Sequence, residues 1–223
     1  MSYLTKEMST KAILDMSGFH NDVVSCYSKY GMDLLDNLGR RNIVMSQAQE
    51  KFFSASLSSS YEGVSNDGRT GQPDIVIGSL QKELECKLTS KHKSGSISFQ
   101  TDYETLLQKK ALDYLYVVAD RDFKSFAVLH FEGLTVDDFR PPSPGSRGKV
   151  AMIKHKAMRK CNILMGDVID KNILEIKKIK NKISTLSDRA VKTREKLENS
   201  LEYWNETPTK YSISLEEVSL HTA

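Results

Sequence analysis

Long apolar runs are missing from this sequence. No stretch approaches the roughly 18 uninterrupted apolar residues that a membrane-spanning helix needs. The opening residues MSYLTKEMSTK also lack the basic-then-apolar layout of a secretion signal, so a cytoplasmic, intracellular protein of prokaryotic kind is expected. Cysteine is scarce. Cys26, Cys86 and Cys161 are far apart and odd in number, with no C-x-x-C pair and no histidine at zinc spacing, which excludes a disulfide scaffold and structural zinc. The histidines His20, His92, His130, His155 and His221 show no paired spacing and read as ordinary residues. A large charge excess is absent too. A net charge of +3 does not by itself argue for nucleic acid, because affinity for phosphate depends on where cations cluster.

What remains is the composition of an ordinary folded domain, 39% hydrophobic and 27% charged. At 223 residues, one compact core with an appendage is the default. The first 60 residues read as helical, with a helix expected through HNDVVSCYSKYGMDLLDNL and a second from Ser46, a good N-cap, through QAQEKFFSASL. On that second helix Ala48, Phe52, Ala55 and also Phe53 can face a core, so Glu50 points elsewhere. The segment SSSYEGVSNDGRTGQ reads as loop.

The period then changes to two. PDIVIG and KELECKLT alternate as short strands joined by GSLQ, a hairpin. A helix over DYETLLQKKA precedes two apolar strands, LDYLYVVA and FAVLHFEGL, across the turn DRDFKS. Residues 137–149, rich in proline, read as a surface loop. The order of elements predicts an α/β fold with a mixed central sheet flanked by helices.

From Ile169 the pattern becomes heptad-like. Ile169, Ile176, Ile183, Ala190, Leu197 and Trp204 recur every seven residues, with Ile173, Ile179, Leu186 and Leu201 nearby. A long helix or a helical hairpin is expected, with Ser184, Thr185, Ser187 and Asp188 as a candidate break. The domain expectation is therefore a catalytic domain over 1–165, a heptad helical segment over 166–207 and a tail over 208–223.

The chemistry concentrates at Pro73-Asp74 and, after ten intervening residues, Glu85-Cys86-Lys87. On a strand, residues 85 and 87 project from one face, and Asp74 at the start of the adjacent strand can join them. Two carboxylates there suit Mg²⁺, which prefers oxygen ligands and keeps several waters; Mn²⁺ can substitute. Lys87 would orient or help deprotonate the attacking water. Such a string occurs in roughly one random chain in twenty, so its context has to carry it. The chain contains its own control in Glu175-Ile176-Lys177, the same pattern on an expected helix, where residues two apart do not face each other.

A helix with Glu50, then PDIVIG, then ELECK, then a helix and two apolar strands, over about residues 45–135, resembles the PD-(D/E)xK nuclease superfamily, particularly type II restriction endonucleases. The resemblance implies Asp74 and Glu85 as metal ligands, Lys87 as catalytic lysine, Glu50 as the helix-borne acid some members use, and Cys86 lending only its backbone carbonyl. Glu83 shares the face of Glu85 and competes for the ligand role. Gln100, Thr101 and Asp102 resemble positions where such nucleases approach DNA, although Asp102 equally suits a helix cap.

Residues 145–160 hold Arg147, Lys149, Lys154, Lys156, Arg159 and Lys160 without one acid, a basic patch suited to DNA phosphates. The leading expectation is a Mg²⁺-dependent type II restriction endonuclease, a homodimer cutting a short site in double-stranded DNA. Two alternatives stay open: a repair or resolvase nuclease choosing DNA structure, and a non-catalytic DNA-binding or coiled-coil protein. The heptad helix would dimerise, grip DNA or fold back on its own domain.

Overall fold

The computed structural model describes residues 2–67, 69, 72–92, 96–144, 148–166 and 171–206, with side chains of the last segment described over 181–203. The chain divides into two compact units, Met1–Leu174 and Glu175–Ala223.

The first unit opens with α1 (Lys6–Lys29) and α2 (Leu38–Ser58). Thr5 starts α1 by accepting a hydrogen bond from the Met8 N–H at 3.2 Å, and Ala12, Ile13, Met16 and His20 form its buried stripe. The expected helix through Gly31 to residue 38 does not form. Gly31 takes a left-handed φ of +69°, α1 already ends at Lys29, and a short 3₁₀ turn at Leu34–Asp36 follows. Asn37 then caps α2 by accepting from the Arg40 N–H at 3.1 Å. Ser46, expected as that cap, lies inside α2 and donates back to the Ile43 carbonyl at 2.8 Å.

Beyond α2 the expected loop contains β1 (Val64–Ser65). β2 (Ile75–Ile77) and β3 (Lys82–Ser90) form the anticipated hairpin, turning through Gln81 in the left-handed region at φ 51°. β4 (Gln100–Asp102), α3 (Tyr103–Lys109), β5 (Leu112–Ala119) and β6 (Phe126–Leu134) follow, with both apolar strands where the pattern placed them. β7 (Lys149–Ala151), α4 (Lys154–Ala157) and β8 (Cys161–Gly166) complete the unit. The expected surface loop at 137–149 is partly interior, because Asp138 and Phe139 are buried at its start.

Six strands form one mixed sheet in the order β1-β2-β3-β5-β6-β8, in which β3 and β5 are parallel and the other neighbours antiparallel. Every residue of β5 is buried, as a central strand covered on both faces must be. On one face Leu84, Cys86, Leu115 and Val117 pack with Met16, Met45, Phe53 and Leu57 of the two long helices. On the other, Tyr114, Tyr116 and Phe131 meet Phe99 and Phe139 in ring contacts. β4 and β7 pair as a separate two-stranded ribbon on that aromatic face. The architecture is thus a mixed α/β sheet flanked by helices.

Two buried charges pin this layout. Arg41, fully buried, donates to the carbonyls of Asp120 (2.8 Å) and Arg121 (2.5 Å) and to Ser90 Oγ (2.6 Å), holding the β5–β6 turn against α2. Asp113, in the middle of an apolar run, accepts from the Tyr3 hydroxyl (3.1 Å) and the Gly133 N–H (2.7 Å) and pairs with Lys82 at 3.1 Å.

The second unit is described through α5 (Lys171–Glu206), which continues without interruption through Ser184–Asp188, so the expected break is absent. Within it Thr185 donates to the Asn181 carbonyl at 2.9 Å, and Arg194 pairs with Glu198 one turn on at 2.7 Å. At 36 residues the helix is about 54 Å long. Its apolar positions Ile183, Leu186, Leu197 and Leu201 are exposed. Ile169 and the side chains of Ile173, Ile176, Ile179 and Trp204 lie outside the described residues. Among the described residues no helix is long and apolar enough to cross a membrane.

Candidate active site

Strand geometry brings the sequence-predicted residues together. β2 pairs with β3 only from Ile75 opposite Leu84 to Ile77 opposite Lys82. Asp74 stands one residue before that ladder, and its carboxylate takes the place of a ladder acceptor: Oδ2 accepts the Cys86 N–H at 2.7 Å. This bond sets Asp74 beside β3 where the hairpin strands part. Glu85 and Lys87 share one face of β3, and the Lys87 ammonium donates to Glu85 Oε1 at 2.5 Å. The Cys86 side chain faces the opposite way into the helix-packed core, and burial pushes its thiol pKa well up, so the sulfur is unavailable as a thiolate ligand.

Glu50 reaches the same place from α2. Ile43, Ser46, Gln47 and Glu50 recur at helical spacing and line a cleft of about 390 Å³ together with Asp74 and Glu85. Pro73, Arg69 and Gln72 border it from the segment before β2; Glu83, Thr105, Lys109 and Leu112 border it from the other side.

The electrostatics are those of crowded acids. Burial raises the Glu50 pKa to about 7, reinforced by the nearby Asp74 and Glu85 carboxylates and opposed by Lys87. Asp74 is raised by burial and by Glu85, against Lys87 and the Cys86 N–H. Burial works against the Lys87 ammonium, but Glu85 and Asp74 outweigh it and leave its pKa above the ordinary lysine value. Three carboxylates thus share one ammonium. Among the described residues, no three His, Cys, Asp or Glu side chains are drawn together as a ready-made cage. Mg²⁺ does not require one, since one or two carboxylates with waters and phosphate oxygens satisfy its octahedron.

Glu83 is separated from this group by its partner. Lys109 of α3 donates to both its oxygens, at 3.0 and 2.8 Å. Sequence spacing could not reveal that pairing, because the two residues are 26 apart. Asp102 caps α3, accepting from the Thr105 N–H at 3.0 Å, as its alternative reading has it.

The basic segment is divided among several jobs. Lys160 donates to the Gly133 carbonyl at 2.9 Å and pairs with buried Asp138 at 2.8 Å, so it is tied into the fold. Lys154 lies over the Phe99 ring at 5.5 Å. Lys156 leans on the Asp137 carbonyl at 3.4 Å. Lys149 and Arg159 are exposed, as is Gln100 on β4; Arg147 lies outside the described residues.

Register connects the ribbon to the acids. Glu85 lies beside Tyr114 and Lys87 beside Tyr116 on the parallel pair β3–β5. The Tyr114 hydroxyl bonds Thr101 Oγ1 at 2.9 Å, and the Tyr116 hydroxyl donates to the Gln100 carbonyl at 2.8 Å. These tyrosines escaped sequence reasoning because they sit in an apolar run that reads as core. Comparison of the chain with protein-family models, with curated proteins and with solved structures finds no match.

Proposed function

We propose that this protein is a Mg²⁺-dependent type II restriction endonuclease of the PD-(D/E)xK kind, hydrolysing phosphodiester bonds of double-stranded DNA at a short specific site as a homodimer. The observation that carries this reading is the convergence of Glu50, Asp74 and Glu85, from a helix and the two arms of a hairpin, on one cleft, with Lys87 hydrogen-bonded to Glu85 on the same strand face. The restriction-endonuclease-like fold belongs to the same proposal, and the mixed sheet with a carboxylate-bearing hairpin supports it.

Asp74 and Glu85 would hold Mg²⁺, with Glu50 completing the shell directly or through water. The bound ion would stabilise charge on the phosphorane-like transition state and lower the pKa of a coordinated water. Asp74 can do this with Oδ1 while Oδ2 stays on the Cys86 N–H. Lys87 donates hydrogen bonds from the same strand face, where it orients the attacking water and balances charge on the phosphate. Glu85 fixes the lysine's position. Arg69 and Lys109 border the cleft, each paired with a carboxylate, Asp67 and Glu83 respectively.

The test is to incubate purified protein with phage DNA and Mg²⁺ and to sequence the cut ends. Discrete ends sharing one short sequence are expected. Ends without a common sequence would transfer the chemistry to a structure-selective nuclease, and absence of Mg²⁺-dependent cutting would overturn the nuclease reading.

A further inference from the structure

The β4–β7 ribbon has a third lane. Phe139 bridges to Met152, and the Arg140 N–H donates to the Ala151 carbonyl at 2.8 Å, so residues 139–140 run antiparallel along the outer edge of β7. Ala151 is in turn the register partner of Gln100. Gln100, Ala151 and Arg140 therefore form one row across three lanes, and paired residues of neighbouring strands point to the same side. Burial alternates as that requires. Phe99, Thr101, Val150, Met152 and Phe139 are interior, whereas Gln100 and Arg140 are exposed.

Three properties distinguish this outward row. Among the described residues no partner holds the side chains of Gln100 and Arg140, in contrast to Lys160 and Glu83, which are tied up nearby. The residue between them is alanine, which leaves room for an edge to approach the backbone. The register partner row carries Lys149 opposite Asp102, and one Asp102 oxygen is already committed to capping α3. The face is thus polar, with cations at Arg140 and Lys149. It is also rigid, because the Tyr114 and Tyr116 hydroxyls fasten its back to the strand beside Glu85 and Lys87.

We infer that this ribbon face is a base-reading surface that enters the major groove of duplex DNA, with Arg140 reading a guanine edge and Gln100 an adenine edge. The inference rests on the nuclease reading for its ligand. Two lanes apart, the side chains are roughly 10 Å from each other, within a groove about 12 Å wide that admits a β-ribbon. A guanidinium matches the O6 and N7 acceptors of guanine bidentately, and a carboxamide matches N6 and N7 of adenine. Anchoring by the two tyrosines would place the read bases at a constant offset from the cut bond.

The experiment selects from a randomised duplex library with Ca²⁺ in place of Mg²⁺, so that binding is read without cutting. Wild type, Arg140→Ala, Arg140→Lys and Gln100→Ala are compared, and each is also tested for cleavage in Mg²⁺. Wild type is expected to enrich one motif. Both Arg140 variants should lose preference at a guanine position, since a lysine keeps the charge but not the fork. Gln100→Ala should lose preference at an adenine position. Each change should weaken binding to the wild-type motif about ten- to a hundredfold and leave binding to unselected DNA unchanged. A wild type that enriches no motif, or variants that all enrich the wild-type motif, overturns the ribbon assignment. A wild type that enriches a motif sensitive to these residues yet never cuts in Mg²⁺ supports the ribbon and removes the nuclease reading instead.

Discussion

The Asp74 carboxylate and the Cys86 backbone N–H are joined at 2.7 Å across the parting strands of the β2–β3 hairpin. That one bond substitutes for the next rung of the ladder and presents the second Asp74 oxygen to the cleft. Asp74→Asn keeps an acceptor for Cys86 and removes the charge. The variant should fold with a Tm close to wild type, bind DNA in Ca²⁺, and show no cleavage in Mg²⁺. Cleavage at a rate near wild type, followed on plasmid DNA, would sink the metal-ligand role.

Lys87→Ala should lower the single-turnover cleavage rate by about 10²-fold or more, the scale of a positioned acid/base or orienting group. DNA affinity in Ca²⁺ should change little. If the rate fell only in proportion to affinity, Lys87 would be a phosphate contact and no more.

Glu83 and Glu85 share a strand face but not a role, since Lys109 engages both oxygens of Glu83. Glu85→Ala should abolish cleavage at all Mg²⁺ concentrations, whereas Glu83→Ala should keep wild-type dependence on Mg²⁺. A Mg²⁺ titration in which Glu83→Ala alone lost its metal response would reverse the assignment.

Arg41→Met should cost several kcal/mol, on the order of 3, because it leaves the carbonyls of Asp120 and Arg121 without their buried donor. Urea denaturation measures this. A loss under about 1 kcal/mol would show that the guanidinium contributes mainly through packing.

His130 is fully buried, and burial first, with Lys82 adding to it, lowers its pKa to about 4 against the opposing pull of Asp113. It is therefore neutral at pH 7, and its 3.8 Å approach to Glu132 is not an ion pair there. The unfolded chain binds a proton at this site near pH 6.5, the native protein only near 4. Stability should accordingly fall as pH drops from about 6.5 to 4 and gain nothing above that window, with a contribution on the order of 3 kcal/mol. Urea midpoints of wild type and His130→Asn at pH 7.5, 6 and 5 should converge as the pH falls. Parallel curves would refute the linkage.

Residues whose signal is local were readable in the chain. The alternation in PDIVIG and KELECKLT placed Asp74, Glu85 and Lys87 on one hairpin because strand period is two and the carboxylates fall on the outer phase. β5 and β6 were readable because fully buried strands are continuous apolar runs. β1, β4 and β7 escaped because two or three residues carry little periodicity without an alternating flank such as β2 has, and β8 went unread as well. Ser46 misled because serine caps helices on average, and only the packing of Arg41 and Met45 in the core extends α2 back to Leu38.

The sequence by itself determined which residues could do the chemistry and which strand faces bear them, because both follow from side-chain type and a local period. The tertiary structure alone decided that Glu50 lines the cleft, that Lys109 engages both oxygens of Glu83 at its border, and that Gln100 and Arg140 stand in one row. Those relations join residues 24 to 40 positions apart in the chain, as Glu50 with Asp74 and Gln100 with Arg140 do. Such distances are closed by sheet register and helix packing, which no local pattern encodes.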